Sequence, residues 1–449
     1  MGVKKLNRGS LPMAKLTFPL VMEQFFRILV SSVDTLMLSS YSEQAVAGVG
    51  LVSQYVFFLN LLFSVIGTGT SIVLSQYLGA EKLEDELNNI AKASSVMITI
   101  ISLVLTGIVI FGTGPLLSCY DLESEVRQAA LEYFIIYGGI SSFFSAFSLL
   151  QGSILRSYGY TKETMVVTII ANLVNVIGNY VSLYSPFGIP ILGVKGVAGA
   201  SALSMIVSFI LLSIIISKKK DVQFSLHKLN KTPSSVYKLI LSVGVPTAGE
   251  SLSYNVSQIV IMGMISQLGT NAMSAQVYTQ NIVRYVFLMA ASIGSAVQIK
   301  TGYYVGAKDF DTAYKKIFKY GLVATCCSMT MMLVVNLAKT PIIGLFTKQP
   351  DIFSLVATLL IYSTYIEFGR SLNLTYVGAL KGSGDIKFPV TYGIFSMWGI
   401  MVLGSWILGI KLGFGLIGFW LAIGTEETTR GIVMLLRWKS RKWQKNSLV

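Results

Sequence analysis

Long apolar runs separated by short polar breaks dominate the chain. Each lasts about 20 residues or more, the length a helix needs to cross a bilayer. Runs begin near Met13, Val46, Ile90, Arg127, Glu163 and Gly193, and again near Val236, Ala272, Ile317, Phe353, Phe388 and Phe414. They lack the two-residue alternation of barrel strands, so helices are expected. The predicted architecture is an all-α membrane protein of about 12 transmembrane helices in two pseudo-symmetric six-helix lobes. One lobe covers residues 1–217 and the other 236–449, which ends in a basic cytoplasmic tail. Residues 218–235 form a basic cytoplasmic linker.

Composition agrees with a lipid-solvated surface. Apolar residues make up 53% of the chain and charged residues only 12%, about half the share of a soluble domain. The net charge of +14 would suggest nucleic acid in a soluble protein. Here it reads as the positive-inside signal, because lysines and arginines gather at both ends and in the central linker. An even number of spans then leaves both termini cytoplasmic. Cys119, Cys326 and Cys327 form no disulfide or metal pattern, and His227 sits alone in a basic loop. No cleavable leader is expected, since the first apolar stretch runs past Leu38 without a small-residue cleavage site.

The two halves repeat. At an offset of 227, Pro19 falls on Pro246, Glu23 on Glu250, and the segment from Gly67 to Ala80 on Gly294 to Ala307. Near an offset of 225, LRSYGYTK from Leu155 matches LKGSGDIK from Leu380. Each half ends with a glycine-spaced segment, from Gly193 and from Gly415. Six spans per half make the repeats parallel, which implies an axis along the membrane normal and alternating access by rocking of the lobes. Helix packing through small residues explains the glycines but not the paired Pro and Glu.

Ionisable groups inside spans are costly and therefore candidates for function. Glu23 lies mid-span and is a candidate for ion coupling, with Arg27 one turn on as an ion-pair partner. Asp34 lies further out with no cation within a turn. An unpaired carboxylate in low dielectric gains from taking up a proton or a sodium ion, so Asp34 is the first candidate for ion coupling and for a sodium site. Asn172, Asn175 and Asn179 on the fifth span either glue helices or support that ion. In the second half Glu250 is a candidate contact for a cationic substrate. Glu367 and Arg370 are spaced i, i+3, and Glu426 and Glu427 lie within a turn of Arg430, either as helix-locking pairs or as substrate contacts. Arg284 lacks a local partner and is grouped with the substrate candidates. Abundant Phe, Tyr and Met suit an adaptable apolar cleft.

Missing motifs narrow the class. There is no phosphate-binding GxxxxGK[ST] loop, so the chain is not expected to use ATP itself. No catalytic or metal constellation appears, so it is not expected to be an enzyme or to need a cofactor beyond a coupling H+ or Na+.

The ordered motifs carry a resemblance that covers nearly the whole chain. They are VDTLM around Asp34, SQYLGA from Ser75, LRSYGYTK from Leu155 and GVKGVAGA from Gly193, then GALKGSGDIKFP from Gly378 and EETTR at 426–430. Together they resemble the multidrug and toxic compound extrusion (MATE) family of the MOP superfamily. The resemblance implies two six-helix lobes, export of amphipathic and often cationic compounds, and antiport against protons or sodium. The family's first-helix aspartate maps onto Asp34, and its seventh-helix acid only loosely onto Glu250. Asn179 replaces a fifth-helix aspartate common in the family, and Arg370 stands where some members carry a tenth-helix aspartate. The expected function is therefore secondary antiport of small amphipathic substrates across a bacterial plasma membrane by a monomer, without nucleic acid. The rival is a flippase for a lipid-linked precursor, which would need a cationic cleft.

Overall fold

The computed structural model describes residues 8–184, 186, 188, 190–224 and 232–449. His227, Lys228 and the middle of the predicted linker lie outside them. The first half comprises α1 (Met13–Tyr41), α2 (Glu43–Gly79), α3 (Glu84–Ser118), α4 (Ser124–Tyr133), α5 (Ser142–Ser157), α6 (Thr161–Tyr184) and α7 (Gly193–Lys218). The second comprises α8 (Ser234–Ser266), α9 (Thr270–Gly306), α10 (Phe310–Leu337), a short α11 (Lys339–Gly344), α12 (Pro350–Gly382), α13 (Lys387–Ser396), α14 (Leu403–Ser405) and α15 (Gly415–Lys439). The chain divides into two compact units, residues 1–74 with 82–245 and residues 75–81 with 246–449.

Nine helices among the described residues are long and apolar enough to cross a membrane. A tenth span is the bent pair α4–α5, broken by 48° at Ser141, directly after the π-helical segment Phe134–Ile140. The chain here is otherwise continuous, so the extra residue per turn supplies the bend. α8 and α15 complete six helices per half. They escape a hydropathy criterion because they carry internal polar groups; α15 holds Glu426, Glu427 and Arg430 within five residues. Helices begin up to seven residues before the apolar runs do. α3 starts at Glu84 rather than near Ile90, and α10 at Phe310 rather than near Ile317. Their polar first turns belong to the same helices but not to the apolar stretch. Along α3, Ile100, Leu103, Val104, Ile108 and Phe111 are exposed, a surface suited to lipid.

The sequence repeat has a backbone cause. Gly159 ends α5 at φ 89° and Gly384 ends α12 at φ 90°. In each, the next residue closes the helix: Tyr160 N donates to Leu155 O at 2.9 Å, and Asp385 N to Leu380 O at 3.0 Å. This left-handed helix end favours glycine. Glu81 and Lys308, also related by 227, end α2 and α9 at φ 51° and 57°. Gly193 and Gly415 open α7 and α15 at φ 56° and 55°. The duplicated motifs thus mark duplicated turns.

Pro19 explains another contact. It lacks an N–H, so the carbonyl four residues back loses its helical donor. That carbonyl, Lys15 O, accepts from Thr161 Oγ1 at 3.0 Å, which ties the start of α6 to α1. α6 in turn packs on α7 through small residues: a Cβ on Gly178 would lie 2.5 Å from Ala200 Cβ, and one on Gly196 only 2.4 Å from Ser182 Cβ.

In the second unit α12 packs on both α9 and α15. Its approach to α15 depends on Gly369, where an added Cβ would meet Thr428 Oγ1 at 2.4 Å and Thr428 N at 2.5 Å. The C-terminal segment is built into this unit rather than left as a free basic tail. Trp443 is fully buried, stacks on Trp438 with ring centres 4.1 Å apart, and donates from Nε1 to Trp438 O at 2.9 Å. Leu448 N then donates to Gln76 Oε1 at 2.8 Å.

Gly369→Ala is expected to force α12 from α15 and to cost about 1–3 kcal/mol, the usual range for overpacking. Gly263→Ala, which meets open space within α8, is expected to be neutral or slightly stabilising. Thermal unfolding of the two purified variants in detergent checks the contrast.

Candidate functional site

α1 and α6 lie side by side and together hold two polar sites in the first unit. Asp34, in the C-terminal part of α1, is half-buried. Asn179 Nδ2 donates to its Oδ1 at 2.8 Å. Asn175, one turn earlier on α6, faces the same carboxylate. The amide orientation that satisfies every group puts its nitrogen 2.8 Å from Asp34 Oδ1 and 3.1 Å from Oδ2, while its oxygen accepts from Ser201 Oγ at 3.0 Å. Tyr133 hydrogen-bonds to the same Ser201. No cation pairs with Asp34 among the described residues. Asn179 Oδ1, on the amide whose nitrogen bonds the carboxylate, is buried without a partner. Asn175 and Asn179 thus join Asp34 as the sequence suggested, and Asn172 does not.

Glu23 lies 11 residues earlier on α1, about 16 Å away along the axis. It is buried and accepts three contacts. Arg27 donates to Oε1 at 3.1 Å, Arg156 to Oε1 at 3.3 Å and Thr164 Oγ1 to Oε2 at 3.2 Å. The expected Glu23–Arg27 pair is present, but Arg156 from the end of α5 joins it. Gly152 makes room for that guanidinium: an added Cβ would lie 3.1 Å from Arg156 Nη1. These residues and Asn172 line a cavity of about 270 Å³ within this unit. Glu23 is separate from the Asp34 site.

The second unit holds a larger charged network. Glu250 on α8 accepts from Lys381 Nζ at 2.6 Å through Oε2 and lies 3.6 Å from Arg430 Nη1 through Oε1. Gly393 on α13 leaves space for that pair, since a Cβ there would lie 3.0 Å from Arg430 Nη1. Arg430 Nε is 3.3 Å from Glu426 Oε1, which also accepts from Ser396 Oγ at 2.7 Å. Arg370 bridges helices: it pairs with Glu367 on its own helix and donates from Nε to Glu427 Oε1 on α15 at 3.0 Å. Asn373 Nδ2 donates to Glu427 Oε2 at 2.8 Å. Glu427 therefore pairs with Arg370 rather than with Arg430, its neighbour in sequence. Four carboxylates face three cations here.

Of the sequence candidates, Glu250, Glu367 and Arg370 meet in this network. Glu250 is not an open anionic contact, because both its oxygens face cations. Arg284 is exposed on α9 and makes no ion pair among the described residues.

Sequence reasoning missed Arg156 and Lys381 as charge partners. The signal was present, since both fall inside the repeated motif at the 225 offset, as Glu23 and Glu250 do at 227. Each half therefore repeats an ion pair between its first helix and the end of the helix that closes at Gly159 or Gly384.

Comparison with known proteins accords with this geometry. The MatE family profile matches residues 19–181 and 246–407, one block in each half. The chain is 36% identical to an uncharacterized transporter, YisQ of Bacillus subtilis strain 168, over 98% of this chain and 96% of that one. It is 26% identical to a probable multidrug resistance protein, NorM of Thermotoga maritima, covering 97% of this chain and 93% of the relative. A multidrug resistance MATE family transporter of the MOP superfamily, solved in an outward-facing conformation, superposes with a TM-score of 0.88 at 20% identity. That match spans 96% of this chain and 95% of the other. With the family profile covering both halves and a relative above one-third identity along nearly the full length, the chain belongs to the MatE family of multi-pass membrane transporters.

Proposed function

We propose that the chain is a secondary active antiporter that exports amphipathic compounds, organic cations among them, in exchange for protons or sodium ions. Its setting in this reading is a bacterial plasma membrane, with both termini cytoplasmic. The observation that carries the reading is Asp34. Six carboxylates are buried among the described residues: Glu23, Glu250, Glu367, Asp385, Glu426 and Glu427. Each of the six lies beside an arginine or a lysine. Asp34 is half-buried in a span and has only carboxamide donors.

Two amide N–H groups stabilise the ionised carboxylate without neutralising it. A proton or a sodium ion supplies the missing charge. For a proton, the Asn175 amide can turn over so that its oxygen accepts from the carboxylic acid. For sodium, the Asp34 carboxylate offers oxygen ligands, and turning over an Asn175 or Asn179 amide would add another. Either ion changes the hydrogen bonds between α1 and α6. A differential affinity of two conformations for ion and for drug then couples their movements. The multidrug-resistance relatives support drug export as the transported class.

In the same reading the charged network of the second unit is structural. Its pairs hold α8, α12 and α15, and a carboxylate so matched is a poor partner for a cationic drug until its pair opens.

Cells expressing the chain are expected to extrude ethidium or norfloxacin when an inward proton or sodium gradient is imposed. Asp34→Asn should reduce gradient-driven efflux to the level of cells without the protein, while membrane abundance is unchanged. Efflux that survives the substitution contradicts the coupling role. Lys381→Met is expected to lower thermal stability by about 3–5 kcal/mol, because it leaves a buried carboxylate with one distant partner. Adding Glu250→Gln to that variant should recover much of the loss, as a double-mutant cycle on the purified protein would show.

A further inference from the structure

The Glu23 cavity has a charge balance opposite to that expected for a cation site. Its ionised lining residues are Glu23, Arg27 and Arg156, one carboxylate against two guanidiniums. Both guanidiniums contact the same oxygen, Glu23 Oε1. The other oxygen is occupied by Thr164. One positive charge is therefore left over, in a site closed on several sides by α1, α5, α6 and α7.

Unused donors are also at hand. The Arg27 side chain is 56% exposed and has Glu23 as its ion-pair partner, so further N–H groups remain for a ligand. Asn172 Nδ2 is buried without a partner and belongs to the cavity lining. The remaining wall is mixed: Leu149, Val167, Met205 and Leu212 are apolar, while Asn60, Tyr137, Ser145, Ser148, Thr168 and Ser208 add polar groups. A planar guanidinium presents paired N–H groups that match a carboxylate in two-point contact. The apolar side chains of the wall suit a ring or a short alkyl chain. At about 270 Å³ the cavity falls just below the usual range of ligand sites, about 300–1,000 Å³, and so suits a small ligand.

We propose that this cavity, built on Arg27, Arg156 and Asn172, binds the carboxylate end of an amphipathic organic acid or zwitterion. A single unmatched charge favours a monoanion over a phosphate dianion. The same charge repels an organic cation, so a zwitterionic substrate would seat here by its acid group. This inference deepens the export reading and rests on it for the claim that the bound acid is a transported substrate. The binding itself can be measured without transport.

The test uses the full-length protein in detergent and three probes on one ring: 1-naphthoate, its methyl ester and 1-naphthylmethylammonium. Equilibrium dialysis gives each Kd. The wild type is expected to bind the carboxylate at least tenfold more tightly than the ester, with the ammonium weaker still. Arg27→Gln, at the more exposed guanidinium, should abolish the preference for acid over ester. Arg156→Lys keeps the charge near Glu23 but removes the fork, and should weaken naphthoate binding several-fold while leaving ester binding unchanged. Glu23→Gln frees both arginines and should tighten naphthoate binding. Equal affinity for acid and ester in the wild type would overturn the proposal. So would an acid preference that persists in Arg27→Gln, or displacement of naphthoate by inorganic phosphate at equal concentration. Uptake of labelled naphthoate into everted vesicles under the imposed gradients then separates the two claims. Charge-selective binding without transport defeats the export reading and leaves the site assignment standing.

Discussion

The cost of an uncompensated charge inside a bilayer organises this molecule. A buried ion needs an opposite charge and hydrogen bonds at hand, or it destabilises the fold. The chain meets that demand twice in the same way. Glu23 on α1 meets Arg156 at the end of α5, and Glu250 on α8 meets Lys381 at the end of α12. Each pair joins elements distant in sequence, and each basic partner sits just before the glycine turn that ends its helix. Pro, Glu, the basic residue and the turn glycine recur together because they form one construction used in both halves.

Around that shared pair the halves diverge. In the first unit a second arginine, Arg27, leaves the cluster with an extra positive charge and a cavity beside it. In the second, Glu367, Glu426 and Glu427 join with Arg370 and Arg430, and carboxylates exceed cations by one. Asp34 stands outside both clusters, on the same helix as Glu23 but held by amides alone. A pair locked by charge resists change, whereas a carboxylate held by amides can exchange a proton or a sodium ion at little structural cost. The proposed antiport therefore assigns the coupling ion to Asp34, apart from the charge-paired Glu23 on the same helix.

Much of this was legible in the sequence. Ten of the twelve spans follow from apolar length, and most starts lie within three residues of the expected positions, with α3 and α10 beginning six and seven residues earlier. The Asp34, Asn175 and Asn179 grouping follows from depth and helical spacing. The bend of α4–α5 was not legible, because a π turn leaves no hydropathy signature. Nor was the length of α10, whose polar first turns resemble a loop. Partner choice among charges was the main failure. Spacing along one helix suggested Glu427 with Arg430, but the approach of α12 and α15 at Gly369 gives Glu427 to Arg370 instead. Arg156 and Lys381 sat inside recognised repeat motifs, yet a motif shows which positions recur and not which side chains meet. The docked Trp443 was likewise hidden within a segment whose basic composition resembles a free tail.

The assignment of the coupling ion to Asp34 is most directly tested by ion movement driven by the substrate. Purified protein in liposomes is given an ethidium gradient with no ion gradient, and the opposing flux of protons or sodium is recorded. The account predicts a counterflux for the wild type and none for Asp34→Asn, while Glu250→Gln/Lys381→Met retains it. Counterflux that persists without the Asp34 carboxylate, or that disappears only when the second-unit pair is changed, would contradict it.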